Sequence, residues 1–547
     1  MSIFSAVALA LALPPLHWSF CVWLAPIGWL VLVLRDAAPG RRGYGWLWAA
    51  TFAFWLHYLW GIRSAHPALY LGWISLSAYL AAYVPAFVGI SRELVHRRRI
   101  PFVLAAPAVW TLLEVARGYL LSGFSGGLIA HALVRQSWLI QTADLLGAYT
   151  VSWMVLAITC LGILACWPDS RRLPVRLVPV SGIGLILSGA IGYGLWRLHD
   201  LPAMQPERDA VLRIALLQES IDTVFDGDPE KNVQRSMEMF QKYLDLTARV
   251  LDNDPDLDLI VWPESAFTSN IPDQLVDAID DLRAPPGLED RTAEYQEFVR
   301  LRSERFPGKV RALRELVASR SRRATHFLVG TDTIDYNQEP PQAYNSCLFI
   351  APDGQLLGRY FKQHPVPFGE YIPFLASFPS IARLSPIGAG IAAGVDPQAF
   401  PLGEFRISPS ICFESTVPQV IRGQMAALRL QGQSPDILVN MTNDGWFWGS
   451  GMLDMQFHSA VFRAIEHRRP LLIAANTGIS AWVRADGVIE RESQRRTVGT
   501  IVATVAKQNL GSLYSRLGDL ATVGVMGLIL AGGRLLGRLG TNLFAIR

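Results

Sequence analysis

The chain has 547 residues, of which 51% are hydrophobic and only 17% charged, with 17 Trp and a formal charge of +3. That balance excludes a disordered chain and an ordinary soluble enzyme, and it fits a protein partly dissolved in lipid. So small a positive charge, with no basic stripe carrying interleaved aromatics, leaves no footprint for nucleic acid.

From the N-terminus, apolar runs occupy residues 3–16, 20–34, 44–62, 69–90, 102–119, 139–167 and 178–198, and an eighth lies at 517–539. A membrane-crossing helix needs roughly 20 apolar residues, and five of these runs reach or approach that length. The first two are short, are parted by Pro14, Pro15 and His17, and read as a helical hairpin. A cleaved signal peptide is disfavoured: no basic segment precedes the first run, and the prolines suit a cleavage site poorly. The expected architecture is an α-helical membrane bundle of about eight spans joined to an α/β domain.

Arginines give the orientation. Arg35, Arg41 and Arg42 follow the second run, and Arg92, Arg97, Arg98 and Arg99 follow the fourth. Arg171, Arg172 and Arg176 follow the sixth, and Arg534, Arg538 and Arg547 lie at or beyond the end of the eighth. Lys and Arg mark the cytoplasmic side. The segment between the seventh and eighth runs is therefore expected outside a bacterial inner membrane, in the periplasm. The expected division is 1–198 for seven helices, 199–512 for the exterior domain, and 513–547 for the last helix and a cytoplasmic tail.

Within the runs, Glu114 and Arg117 are three apart, share a helix face and can neutralise each other. With Asp144 they read as glue between helices in preference to lipid headgroup contacts. Gly533 and Gly537 have the Gly-x-x-x-Gly spacing, but so near a span end, beside Arg534, that it carries little weight.

The exterior segment alternates strand and helix. Strand-like runs fall at 212–217, 257–262, 326–331, 345–351, 405–412, 436–441, 471–475 and 498–505, with helical stretches at 229–251, 309–322, 417–430 and 453–467. Most strands are continuous apolar runs, as in sheets covered on both faces. Asp353-Gly354 and Asp486-Gly487 look like hairpin turns. Two such sheets facing each other with helices outside give an α-β-β-α sandwich. Residues 280–306, charged and Pro-containing, read as a surface insertion.

Three strand ends carry chemistry. Val-Trp-Pro-Glu-Ser holds Glu264, Tyr-Phe-Lys-Gln-His holds Lys362, and Ser-Ile-Cys-Phe-Glu-Ser holds Cys412. A carboxylate, an ammonium and a thiol supply a base, a positive charge and a nucleophile, the parts of acyl transfer through a thioester. Each has a bland reading: a solvated carboxylate, a surface lysine, a small buried hydrophobe. What singles out Cys412 is the strand-to-turn setting, in which a following helix and a nearby Lys favour thiolate and the Phe413 N–H becomes an oxyanion donor. Trp262 offers an apolar wall to Glu264. The five cysteines (Cys21, Cys160, Cys166, Cys347, Cys412) show no zinc or disulfide spacing, and His364, His458 and His467 no metal-ligand spacing. No cofactor or metal is expected.

These segments carry a family resemblance. Residues about 211–505 resemble the nitrilase superfamily, through Trp262-Pro263-Glu264, the block from Lys362-Gln363-His364-Pro365 to Gly369-Glu370-Tyr371-Ile372-Pro373, Ile411-Cys412-Phe413-Glu414, Thr442-Asn443-Asp444-Gly445-Trp446-Phe447 and Asn476-Thr477-Gly478-Ile479-Ser480. Nearly the whole chain, including Glu114-Val115-Ala116-Arg117-Gly118 and Gln141-Thr142-Ala143-Asp144-Leu145-Leu146-Gly147, resembles that superfamily's membrane branch, the apolipoprotein N-acyltransferases. Two departures stand out: Phe413 occupies a position where Tyr is frequent, and the stretch Phe225-Asp226-Gly227-Asp228-Pro229 lacks the Trp often found there.

The resemblance implies a Glu264–Lys362–Cys412 triad on a nitrilase-like sandwich and a ping-pong reaction. A phospholipid sn-1 ester acylates Cys412, and the α-amine of a diacylglyceryl-cysteine on an apolipoprotein then takes the acyl group. It also implies that Glu370 and Glu414 orient the Lys and the amine. A monomer is expected. Trp446, Phe447 and Trp448 form either an interfacial lip or a packed aromatic cluster. Two alternatives stay open: a membrane-tethered nitrilase-like amidase that transfers to water, and a non-catalytic lipid-binding protein.

Overall fold

The computed structural model describes residues 1–65, 69–167, 173–199, 210–222, 229–285, 289–367, 369–371, 390–508 and 510–539. Arg171, Arg172, Arg547, the stretch Phe225 to Asp228, Phe368, Ile372 and Pro373 lie outside them.

Among the described residues, five helices are long and apolar enough to cross a membrane: Leu69–Arg97, Phe102–Ser122, Ala148–Cys166, Leu177–His199 and Asp519–Arg538. Ser2–Ala12 and Ser19–Leu34 are apolar but shorter, in keeping with a hairpin. The 44–62 run falls on Arg41–Tyr58, an 18-residue helix whose Arg, His and Tyr content keeps it outside that group. The 139–167 run is broken: short turns at Ser137–Ile140 and Ala143–Leu146 precede the helix proper, which starts after Gly147.

Glu114 and Arg117 are both buried, and each pins the loop that follows their helix. Glu114 accepts from the Ile129 amide at 3.2 Å, and Arg117 donates to the Gly126 carbonyl at 3.2 Å. The small-residue spacing near the chain end matters more than its position suggested. A Cβ on Gly537 would lie 1.9 Å from the Arg99 carbonyl oxygen, and one on Gly533 2.7 Å from Ile100. These two glycines let the last helix close against the turn that precedes Phe102–Tyr119.

The α/β part is two sheets. The first contains β1 (Val211–Gln218), β2 (Leu259–Trp262), β3 (Asp273–Leu275), β4 (His326–Asp335), β5 (Gln342–Ile350), β6 (Leu356–Phe361) and, numbered last in the chain, β13 (Gly499–Ala506). Its order is β13-β1-β2-β4-β5-β6, with β3 beside β4. The second runs β12-β11-β10-β9-β8-β7, from β7 (Phe400–Leu402), β8 (Phe405–Ile411), β9 (Ile437–Thr442), β10 (Leu471–Ala475), β11 (Ala481–Val483) and β12 (Ile489–Glu492). Strands β1, β2 and β4 are mutually parallel, as are β8, β9 and β10, so their C-terminal ends line up along one edge of each sheet.

Side chains alternate faces along each strand. Ile214 and Leu216 of β1 join Val439 and Met441 of β9 in the layer between the sheets. Ala215 and Leu217 face Tyr243 and Leu246 of the Pro229–Asn253 helix. Asp353-Gly354 and Asp486-Gly487 do turn β5 into β6 and β11 into β12, with both glycines at positive φ. The expected insertion at 280–306 is instead mostly helix. Thr292–Arg320 is continuous, and Pro307 sits inside it. Apart from Lys309, its charges lie outside the buried face that Val299, Lys309, Leu313 and Val317 form.

The second sheet's outer helix, Met452–His467, is buried along nearly its whole length. It shares one apolar core with the bundle: Phe457, Phe462 and Ile465 cluster with Leu128, Ile140 and Val151. The joint is also ionic. Asp144 accepts from Arg468 at 2.6 and 2.9 Å, pairs with Arg197 at 2.9 Å and accepts from the Tyr193 hydroxyl at 2.8 Å.

Candidate active site

The three expected residues sit at the strand ends of the two facing sheets. Glu264 follows β2 by one proline, and β4 passes beneath it at Gly330, where a Cβ would lie only 2.4 Å from the Pro263 oxygen and 2.6 Å from Glu264 Cα. The missing side chain lets Glu264 reach across β4 to β5, where Asn345 Nδ2 donates to its Oε1 at 2.5 Å. The β5–β6 ladder continues one step past Phe361, through Lys362 N–H to the Asn345 carbonyl at 2.8 Å, so Lys362 stands beside Asn345. From the second sheet, the Asn443 amide just after β9 donates to Glu264 Oε2 at 2.7 Å. Trp262 turns to the helix layer, where its indole donates to Thr247 at 3.0 Å; it anchors the strand end and does not wall the carboxylate.

Lys362 is fully buried and pairs with two carboxylates, Glu370 at 2.7 Å and Glu264 at 3.3 Å. Asn345 also reaches Glu370 at 3.3 Å, so Glu264 and Glu370 share one cation and one amide. Burial works against the ammonium, but the charges of Glu370, Glu264 and Cys412 outweigh it and hold Lys362 well above the usual lysine range.

Cys412 ends β8 in the left-handed region, φ +52°, and opens the short 3-10 helix Cys412–Thr416. A non-glycine residue there is strained, as residues held for a purpose often are. Phe413 occupies the first turn, where N–H groups have no partner within the helix. Burial pushes the thiol well above its ordinary value, the Glu264 charge adds to this, and Lys362 only partly offsets it. The pull towards thiolate expected from a nearby lysine is thus present but outweighed by burial and the Glu264 charge, and the cation also serves two carboxylates.

Glu370 lies on Lys362. Glu414 does not touch the lysine: it accepts from the Tyr360 hydroxyl at 2.8 and 2.9 Å, from the Gln363 and His364 amides at 2.6 and 3.0 Å, and from the Ile411 amide at 2.7 Å. It thereby ties the backbone after Lys362 to the backbone before Cys412. Sequence reasoning missed Asn345, which sits in an ordinary-looking strand and whose role depends on cross-strand register. It quoted Asn443 and Asp444 without a role. Asp444, buried and bonded to Thr442 at 2.9 Å, is pushed up to about 7 by burial first, with the Glu264 charge adding to it. Among the described residues no cluster of His, Cys, Asp and Glu has the arrangement of a metal site.

The site borders the bundle on two sides. Phe413 packs on the core that bundle and sandwich share, and its ring stacks on His364, which reaches the Ser122 backbone at the end of the Phe102–Ser122 helix. The turn Asp444–Phe447 packs on Ile62–Ala65, and His458 bonds His17 at 2.8 Å. Of the three aromatics after Gly445, Phe447 packs on the core whereas Trp448 is 47% exposed.

Comparison with known proteins gives the class first. Residues 213–514 match the carbon-nitrogen hydrolase family, and residues 5–161 match the apolipoprotein N-acyltransferase N-terminal domain. An apolipoprotein N-acyltransferase of Rhodopirellula baltica is 30% identical over 550 residues, covering 95% of this chain and 94% of its own. Those of Geobacter metallireducens and Caulobacter vibrioides are 28% and 29% identical, covering 95% and 97% of this chain and 91% and 93% of theirs. A solved amidase from Nesterenkonia sp. is 17% identical, covers 57% of this chain and 95% of its own, and gives a TM-score of 0.35. The chain belongs to the apolipoprotein N-acyltransferase family, a membrane-embedded group with a nitrilase-like domain.

Proposed function

We propose that this protein moves the sn-1 acyl chain of a phospholipid, through a thioester on Cys412, to the α-amine of the diacylglyceryl-cysteine at an apolipoprotein N-terminus. The single observation that carries the reading is the convergence of Glu264, Lys362 and the Cys412 elbow beside the apolar core that bundle and sandwich share, against which Phe413 packs. The chemistry follows from a resting thiol. Glu264 takes the Cys412 proton as sulfur attacks the ester carbonyl, while Lys362 and the Phe413 N–H hold the oxyanion. The proton goes to the leaving lysophospholipid. The lipoprotein amine then attacks the thioester, gives its proton to Glu264, and Cys412 departs as thiol. Glu370 steadies Lys362, and Glu414 fixes the spacing between the lysine and cysteine segments.

The same reading assigns residues 1–198 to seven of about eight spans, 199–512 to a periplasmic domain, and 513–547 to the last span and tail, in a bacterial inner membrane. It is supported by exposed Trp18, Trp60 and Trp448, which neighbour contacts that join bundle and sandwich: His17 bonds His458, and Gly61 lies against Ser450. Aromatic residues favour such a membrane–water boundary. The amidase alternative is not favoured, because the relatives that match nearly end to end are named acyltransferases.

Intact-protein mass spectrometry after incubation with phospholipid is the direct test. A fatty-acyl increment on Cys412 is expected, absent in Cys412→Ala, Glu264→Ala and Lys362→Ala, and discharged by a diacylated lipopeptide. Discharge by water at the same rate would move the protein to the amidase reading. Normal labelling of either Ala variant at 264 or 362 would strip that residue of its role.

A further inference from the structure

We propose that Lys309 is a positioning residue for this acyl transfer: its ammonium ties off the turn that carries Glu264. The inference rests on Glu264 being the base. Lys309 lies on the Thr292–Arg320 helix, on the far side of the first sheet from Cys412, and is 6% exposed. Its Nζ donates to three backbone carbonyls of one turn: Phe267, Thr268 at 2.8 Å and Ile271 at 2.7 Å. Burial pulls its pKa down to about 7 while the Asp332 and Asp273 charges hold it up, and in the charged form its three N–H donors match the three carbonyls. The rings of Phe240, Phe267 and Phe306 stand 5.8, 4.5 and 5.0 Å from the nitrogen.

An apolar side chain would fill such a ring-walled pocket with far less desolvation. What it would not do is gather three carbonyls. The turn needs gathering, because Ser265, Ser269 and Asn270 all hold positive φ without being glycine, a conformation that relaxes unless its surroundings fix it. A second tie works from β4. Asp332 accepts from the hydroxyls of Ser265 at 3.3 Å and Thr268 at 3.1 Å, and its own amide donates to Thr268 at 3.0 Å. Glu264 directly precedes this turn, and its carboxylate must meet Asn345, Lys362 and the Asn443 amide together. Freeing the turn shifts that carboxylate while leaving the bundle-facing lipid surface untouched.

The test uses the full chain in lipid nanodiscs, with single-turnover acylation by phosphatidylethanolamine followed by intact-protein mass spectrometry. Glu264→Gln is expected to form no acyl-enzyme. Lys309→Met is expected to slow acylation at saturating lipid by about tenfold or more, with the half-saturating lipid concentration within about twofold of the parent. Lys309→Arg, which keeps forked donors, is expected to recover most of the rate. Should Lys309→Met fail to fold, Lys309→Gln is read in the same way. Parent-like acylation in the folded Met or Gln variant overturns the inference, as does a loss confined to lipid affinity. If Glu264→Gln still acylates, it is the base assignment that falls; a dead Glu264→Gln beside a normal Lys309→Met sinks this inference alone.

Discussion

Burial first, and then the Glu264 charge, push the Cys412 thiol up, and this separates two kinds of reactivity that a pre-formed thiolate would merge. Glu264 raises the thiol and Lys362 lowers it. Glu264→Gln should therefore speed alkylation of Cys412 by iodoacetamide at pH 7 to 8, by up to roughly tenfold for each pKa unit relieved, while abolishing acylation by phospholipid. Slower alkylation in that variant would mean that the carboxylate acts mainly as a base towards this thiol and not as a repelling charge. Asp444 gives a pH dependence of known sign. Its folded value is about 7 against an ordinary 3.8, with burial the leading cause. Between those values the folded chain keeps a proton that the unfolded chain has released, so this group's contribution to stability falls as pH rises through the window. Asp444→Asn should flatten the change in thermal midpoint between about pH 4 and 7; an unchanged slope would rule out Asp444 as its source.

At the scale of elements, Gly330 decides whether β2 and β4 can deliver a carboxylate to β5. Gly330→Ala puts a methyl into the Pro263 carbonyl and Glu264 Cα, both backbone. The expected cost is about 1–3 kcal/mol of stability and on the order of a hundredfold in acylation rate, read by thermal unfolding and thioester formation. A stable variant with parent-like acylation would show that Glu264 reaches its partners by another route. The eight strand-like runs were legible because a sheet covered on both faces writes itself as unbroken Val, Ile and Leu. All eight coincide with observed strands. Strands β7, β11 and β12, by contrast, are short pieces at the two ends of the second sheet, whose pairing comes from their neighbours. Within the expected surface insertion at 280–306 the helix from Thr292 was not legible, because its charge density hides the one face that turns inward through Val299, Lys309 and Leu313. Glu264, Lys362 and Cys412 could be picked out because each ends a strand in an unusual segment. Asn345 and the ties of Glu414 depend on register, which no local pattern encodes.

For the molecule as a whole, the sequence shows where the helices are but not that bundle and sandwich share a core. Asp144 looked like glue within the membrane, and its partner Arg468 lies 324 positions away. Arg468→Met leaves a carboxylate buried with reduced compensation, which should cost about 3–5 kcal/mol. Adding Asp144→Asn should recover part of that loss, measured by unfolding of the detergent-solubilised protein. Strictly additive losses would show that the two residues do not act as a pair. The order of the first sheet has one more consequence. Strand β1 lies between β2 and β13, so its outer edge waits for the segment that immediately precedes the final helix. On the ribosome, nearly all of the α/β part is made before that segment emerges. Until then β1 is an open edge ready to pair with whatever strand it meets. Nascent chains halted before residue 499 should be prone to aggregation or to capture by chaperones, whereas those released after it can close the sheet.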